Sequence, residues 1–283
     1  MSATSLTWDG RSIPGPGGLP AVAVSLTGPS LAQARTQARS AIDAGADVLE
    51  LRVDLLEEAG ALAAPAPLDA ATAAAQVLEC LRGLGEAIDG AAPLLLTCRT
   101  AAEGGRARLD DAAYGTLLRS VLDGFTDWVP QRRPAAIDVE VQRGCLKWVC
   151  EQAHGLGIDV VASFHDFEAT PADDLLEEVL ARMACEDADL AKIAVWPTSA
   201  DDVARLLGVC ARATAGAGEG TGLGVPVAAM SMGALGAVSR VAPAFGTALT
   251  FAVVRDEQGE SRASAPGQLP IQDVRRCLEL LRV

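Results

Sequence analysis

The sequence predicts a closed parallel α/β barrel of the (β/α)8 TIM type, and three observations predict it. Short apolar runs alternate with amphipathic stretches along nearly the whole chain. The runs number eight, the count such a barrel requires. The chain has 283 residues, close to the ~250 typical of the architecture, and no linker divides it. The expectation is one barrel domain over residues 1–283. An open doubly wound sheet is the structural competitor, and the count of eight tells against it.

Taken in order, the first segment is residues 5–13, a short hairpin that would plug the barrel bottom, followed by a turn-rich stretch at 15–20. Strands are expected at 21–27, 47–52, 93–99, 135–141, 158–165, 189–195, 225–232 and 247–253. Between them lie Ala-, Leu- and Arg-rich helical stretches such as 30–44, 70–87 and 173–185. A glycine-rich segment at 216–224 precedes a strand instead of following one and opening a helix. It therefore lacks the dinucleotide-binding context and reads as a loop. No repeat of about 20–50 residues is visible.

Half of the residues are hydrophobic, enough for a large core. A net charge of −14 excludes the basic surface that nucleic acid requires and disfavours anionic lipid. It leaves room for an anionic small molecule, because a few arginines in a pocket outweigh the mean field. Seven cysteines without a CxxC spacing read as reduced, mostly buried thiols of a cytoplasmic protein. Residues 1–20 show no basic start followed by an apolar stretch, and no apolar run nears the ~20 residues of a membrane span. Of 23 basic residues only Lys147 and Lys192 are lysines, and the histidines are His154 and His165.

Side chains on a strand alternate between faces, and in a barrel one face points inward. Glu50 and Arg52 share a face with Val48, opposite Leu49, Leu51 and Val53. In the next runs Thr97 and Arg99 line up with Leu95, Asp138 with Glu140, Ser163 and His165 with Val161, and Lys192 with Leu190 and Ala194. Charges inside a barrel are costly unless paired. Five consecutive strands carrying polar groups near their carboxyl ends is the arrangement of a barrel active site, with a structural ion-pair layer as the alternative.

Lys192 stands among apolar strand neighbours, Leu190, Ala191, Ile193, Ala194, Val195 and Trp196. Such surroundings disfavour the ammonium form, and a neutral amine attacks a ketone to form an imine, which is an electron sink. A buried lysine paired with an acid is the alternative. His165 ends the preceding strand, beside Lys192, where an imidazole can move protons at neutral pH. Lys147 and His154 fall on helical segments and are read as structural. Glu103, before Gly104 and Gly105, suits a tight turn that carries a carboxylate into the mouth. Ser264, Pro266, Gly267 and Gln268 sit in a lid-like segment at 261–269, flanked by Gly259. Ser239 and Arg240 follow the seventh strand, where barrels often bind anions.

At this point the chain resembles the type I 3-dehydroquinate dehydratases, from Val22 to Gln268. The resemblance is carried by Glu50-Leu51-Arg52-Val53-Asp54, Thr97-Cys98-Arg99 with Glu103-Gly104-Gly105, Asp138-Val139-Glu140, and Ser163-Phe164-His165-Asp166-Phe167. It continues in Ala191-Lys192-Ile193-Ala194, Met230-Ser231-Met232, Ser239-Arg240 and Ser264-Ala265-Pro266-Gly267-Gln268. It implies a (β/α)8 homodimer without metal or organic cofactor that dehydrates 3-dehydroquinate to 3-dehydroshikimate in the shikimate pathway. Lys192 is then the imine-forming amine, His165 the base and acid, and Glu103 the carboxylate that orients His165. Arg240 holds the substrate carboxylate with Ser264 and Gln268, and Glu50 and Arg99 contact ring hydroxyls. Arg52 and Ser25 touch the substrate or support the groups that do, and Met230 packs on the ring. Two readings compete: a class I aldolase acting on a phosphorylated sugar, and a non-catalytic barrel that only binds a small acid or acts as a scaffold.

Overall fold

A computed structural model describes residues 5–63, 69–215, 222–255 and 263–282. Residues 216–221, Gly259 and residues 261–262, on which parts of the sequence reading fall, lie outside them.

The chain opens with an antiparallel hairpin, β1 (Leu6–Trp8) and β2 (Arg11–Ile13). Eight strands follow: β3 (Ala21–Leu26), β4 (Val48–Arg52), β5 (Leu94–Thr97), β6 (Ala136–Glu140), β7 (Asp159–Asp166), β8 (Leu190–Val195), β9 (Val227–Ser231) and β10 (Leu249–Val253). From β3 to β9 each pairs in parallel with the next, and β10 pairs with β3. The ring closes between β9 and β10 through a parallel bridge, Val227 to Thr247, where Ala248 N donates to Val227 O at 2.7 Å. Toward its carboxyl end β10 pairs instead with a short strand, β11 (Leu269–Pro270). The expected lid thus runs straight into the seam between the last two barrel strands.

The helices are α1 (Leu31–Asp43), α2 (Ala70–Ile88), α3 (Asp111–Gly124), α4 (Leu146–Gly155), α5 (Asp173–Cys185), α6 (Ala200–Thr214) and α7 (Ile271–Leu280). Local sequence sets their starts. Ser30, Asp69 and Asp110 accept from the backbone N–H three residues on, and Ser199 forms a capping box with Asp202. One connection departs from the expected alternation. Between β9 and β10 the chain makes two 3-10 turns, Ala237–Val241 and Pro243–Phe245, in place of an α-helix. Pro243 has no amide hydrogen to give, and Gly236 and Gly246 bracket the turns, so a continuous helix is disfavoured there.

Two apolar cores result. The larger packs outward strand residues such as Leu49, Leu51, Ile137 and Ile193 against the helices. The smaller fills the barrel interior and includes Trp8 and Ile13 from the hairpin, which therefore plugs the amino-terminal end. Trp8 Nε1 donates to Asp159 Oδ2 at 2.8 Å, fixing the plug to the barrel rim.

Strand registers sort the interior into layers drawn from alternate strands, as barrel geometry dictates. Val48, Ala136, Leu190 and Leu249 form the lowest, and Ala23, Leu95, Val161 and Ala228 the next. Above these the chemistry changes: Glu50, Asp138, Lys192 and Phe251 share one layer, and Ser25, Thr97, Ser163 and Met230 the one above it. The inward face read from strand alternation is the inward face of the barrel.

Candidate active site

A cavity opens at the carboxyl end of the barrel. Glu50, Arg52, Arg99, Glu103, His165, Lys192, Met230, Arg240, Ser264 and Gln268 all line it. Of the residues expected to bind substrate, Ser25 alone does not. It lies behind the wall, donating to Glu50 and accepting from Ser264 Oγ at 2.8 Å.

The surroundings of Lys192 differ from the expectation. Its neighbours along the strand are apolar, but they point away or lie along the barrel axis. Nζ donates to Asp138 Oδ2 at 2.8 Å, lies 3.8 Å from Glu50 Oε1, and sits 4.9 Å from the centre of the Phe251 ring. The amine is thus both buried and paired with acids. Burial alone would raise the Asp138 carboxyl, but Arg99 and Lys192 outweigh it and hold it down at about 2.

Arg99 lies just past β5. Its N–H donates to Asp54 Oδ1 at 3.2 Å instead of continuing the ladder. Its guanidinium meets Asp138 at 2.7 Å, Ser163 at 2.9 Å, Glu140 at 3.2 Å and Glu103 at 3.4 Å. The sequence reading put Arg99 on ring hydroxyls, whereas here it is the hub of a carboxylate network. Arg52 is likewise engaged, forked onto Asp54 through two bonds of 2.8 Å. Asp54 also accepts from Arg106 N at 3.1 Å and so ties the ends of β4 and β5 to the loop that carries Glu103.

That loop is a single 3-10 turn, Ala101–Glu103, ended by Gly104 in the left-handed region with φ 81°. A Cβ at Gly104 would stand 2.4 Å from the Phe167 ring, so glycine is required both for the turn and for the approach. The turn brings Glu103 Oε2 to 2.8 Å from His165 Nδ1, and the imidazole lines the cavity. Phe167 stacks near the imidazole, centroid to centroid 6.4 Å. Burial pushes the Glu103 carboxyl up to about 8. Burial also pushes His165 well below its ordinary value, with Arg99, Lys192 and Arg52 adding to the effect. The dry site resists separated charge on this pair. His165 stands opposite Ala194 and Lys192 opposite Ser163, so the two are diagonal neighbours on adjacent strands.

Arg240 has the opposite character. It is 1% exposed, yet no carboxylate among the described residues pairs with it. Nη2 donates to Pro266 O at 3.1 Å, Nη1 to Phe251 O at 3.4 Å, and Nε has no partner. Burial lowers its pKa to about 10. Ser239 builds its perch: its hydroxyl accepts from Ser231 N at 2.8 Å and donates to Gly236 O at 2.7 Å. A buried cation with spare donors beside a cavity has the chemistry to take an anion.

The lid folds onto this cluster. Gln268 Nε2 donates to Ser264 Oγ at 3.0 Å, and Ser264 N donates to Gln268 Oε1 at 3.0 Å. Gly267, with φ 79°, lets the lid backbone pass against Gly233, whose carbonyl oxygen a Cβ would meet at 2.2 Å. A chain of hydroxyls then runs from Ser264 through Ser25 to Glu50.

Lys147 and His154 stand apart, paired at the surface with Asp187 and, at 2.8 Å, Asp189. All seven cysteines are free, and five are buried. Among the described residues no helix is long and apolar enough to cross a membrane, and no cluster of three or more His, Cys, Asp or Glu is placed to hold a metal ion. Sequence reasoning missed the role of Asp138 beside Lys192, the grip of Asp54 on Arg52, and the cavity-lining Phe251 and Phe167. Asp138 had been placed on the inward face, the one signal available for it.

Comparisons with known proteins converge. A family model described as type I 3-dehydroquinase matches residues 22–283. A 3-dehydroquinate dehydratase of Klebsiella pneumoniae is 35% identical over 264 residues, covering 92% of each chain. One of Lactiplantibacillus plantarum is 36% identical over 268 residues, covering 93% of each. The crystal structure of 3-dehydroquinate dehydratase from Geobacillus kaustophilus aligns with a TM-score of 0.80 at 28% identity, covering 98% of this chain and 96% of that one.

Proposed function

The chain belongs to the type I 3-dehydroquinase family, and from that premise we propose that it dehydrates 3-dehydroquinate to 3-dehydroshikimate through an imine on Lys192. The observation that carries this reading is the meeting of three unlike groups in one cavity: a buried amine, an imidazole backed by a carboxylate, and an unpaired guanidinium.

Elimination beta to a ketone needs an electron sink, a base and an acid for the leaving hydroxyl. Lys192 supplies the sink by replacing the carbonyl oxygen with nitrogen. His165 takes a proton from the carbon beside the imine, and the electron pair moves toward nitrogen. The enamine so formed expels the hydroxyl, to which His165 returns the proton, and water leaves. Hydrolysis of the conjugated imine frees the product and the amine. Once ionised, Glu103 accepts from Nδ1, which holds the imidazole in orientation and leaves the lone pair on its other nitrogen.

Arg240 grips the substrate carboxylate, and the lid residues Ser264 and Gln268 close beside it. Met230 and Phe251 offer apolar surface to the ring, while Glu50 receives its hydroxyls. Arg52 and Arg99 shape the wall and its field, and Ser25 supports Glu50. The lysine itself provides the sink, so this reading calls for no metal or organic cofactor. The reading extends to one barrel domain over residues 1–283, working as a cytoplasmic homodimer in the shikimate pathway, as the resemblance implies. The class I aldolase alternative shares the lysine but lacks the support of the family match.

Trapping tests it. Borohydride added with 3-dehydroquinate should inactivate the protein and leave a mass adduct on the peptide bearing Lys192. An adduct on Lys147, or none, would sink the imine assignment.

A further inference from the structure

Two carboxylates face the Lys192 amine, and they are held differently. Glu50 lies 3.8 Å away, and both its oxygens accept hydroxyl bonds, Oε1 from Thr97 at 2.9 Å and Oε2 from Ser25. Asp138 touches the amine at 2.8 Å. Its two oxygens divide their work: Oδ1 accepts from Arg99 and Ser163, both at 2.7 Å, and Oδ2 accepts from Lys192 alone. Asp138 is therefore clamped from one side and aimed with the other. Its side chain has no exposure, so its charge acts on the nitrogen without screening by water.

We propose that Asp138 is a catalytic residue: its Oδ2 holds the one hydrogen that remains on the Lys192 nitrogen in the imine, and thereby keeps that imine protonated and electron-withdrawing. The inference rests on the imine reading above. An ammonium and a ketone give a protonated imine and one water. The carbonyl oxygen leaves with two of the three hydrogens of the nitrogen, and the positive charge and the third hydrogen stay. Only the protonated imine accepts the electron pair released when His165 removes the carbon-bound proton. A neutral imine would be a weak sink, so the hydrogen must be kept through the step that forms the enamine.

The surrounding charges decide whether it is kept. Asp138 from β6 and Glu50 from β4 favour the cation. Arg99 past β5, Arg52 at the end of β4 and Arg240 beyond β9 oppose it, and His165 at the end of β7 is pushed toward neutrality. Only Asp138 among them is within hydrogen-bond distance of the nitrogen. It also suits the role because it is a poor proton acceptor, its carboxyl held far down by Arg99 and Lys192 against the effect of burial. It stabilises the hydrogen on nitrogen without taking it.

The composition of the chain makes the test direct. With only Lys147 and Lys192 present, protein labelled with 15N at the lysine side-chain nitrogen gives two such resonances. Product 3-dehydroshikimate is added at equilibrium, and the Lys192 imine nitrogen is followed through a pH titration. The expected result is an imine that stays protonated well above neutral pH in the wild type. In Asp138→Asn its titration midpoint should fall by about one to three pH units, the usual effect of losing an opposite charge at this range. Glu50→Gln should shift it less.

A wild-type imine that is neutral at pH 7 overturns the proposal, and so does an equal midpoint in Asp138→Asn or an equal shift in Glu50→Gln. Because Asp138 also anchors Arg99, its variant can fail to fold; the wild-type titration and Glu50→Gln then decide. The absence of any imine resonance, together with no borohydride adduct on wild-type Lys192, would remove the functional reading itself.

Discussion

Replacing Arg240 by methionine should leave stability nearly unchanged while activity falls. The guanidinium is buried, its Nε is unpartnered, and its other nitrogens reach only two backbone carbonyls. Burial brings its pKa down from the ordinary value to about 10. A fall of that size means that the fold bears roughly 3 kcal/mol to keep the charge at neutral pH. The group is a base with a lowered folded value, so this cost is full below about 10 and fades as pH rises past it.

Methionine keeps most of the stem and removes the charge. Loss of the two charge-assisted carbonyl bonds takes back about 3 kcal/mol. The two terms nearly cancel, so Tm at pH 7 should stay within about 3 °C of the wild type. Substrate binding is not spared. Removing one partner of a buried carboxylate–guanidinium pair costs about 2–5 kcal/mol, or about 30-fold to several thousandfold in kcat/KM, chiefly through KM. The assays are thermal unfolding without substrate and the absorbance of the conjugated enone product. A Tm that falls by about 5 °C or more, or a KM that stays at the wild-type value, would show Arg240 to be a structural group and refute the anion site.

His165→Ala should lower kcat by about 10²–10⁴, the range of general acid–base catalysis, while borohydride still traps substrate on Lys192; normal turnover would remove the imidazole from the mechanism. Glu103→Gln can still accept from His165 Nδ1 but carries no charge, so kcat should fall and the rise of kcat/KM with pH near 8 should disappear. Its folded carboxyl is raised by burial, so the wild type should lose stability between about pH 4.5 and 8 that the variant keeps, readable by denaturant unfolding across that window. Gly104→Ala forces a left-handed residue and a clash with Phe167, and should cost at least about 1–2 kcal/mol of stability together with much of kcat. Unchanged values for both would mean that the Glu103 turn is not held as described.

Much of this barrel was readable from the chain. All eight strands lie within three residues of their expected ends, because apolar runs and two-residue alternation are local signals. The same alternation correctly turned Glu50, Asp138, His165 and Lys192 inward. What it could not convey is contact across the interior. Layers in a barrel draw on alternate strands, so Asp138 on β6 meets Lys192 on β8 past the intervening β7. A single strand carries no trace of that stagger, and Lys192 therefore looked surrounded by apolar groups. The carboxylate network around Arg99 was hidden for a related reason: its four acceptors come from elements beyond its own strand, and only the fold brings them together. The seventh connection carried its own warning in Pro243 and the flanking glycines, which break helices locally.

The hairpin plug has a consequence for traffic. Among the described residues, Trp8 and Ile13 pack into the interior core at the amino-terminal end, so the cavity at the carboxyl end is the way in. In the proposed cycle one water departs when the imine forms, another departs from the ring, and one must return to release the product. All three journeys pass the same mouth as the substrate, beneath Ser264 and Gln268. The lid therefore has to discriminate in time as well as in shape. It must keep solvent out while the enamine exists and admit a single molecule once the double bond is made. A barrel open at both ends would leave that timing to chance.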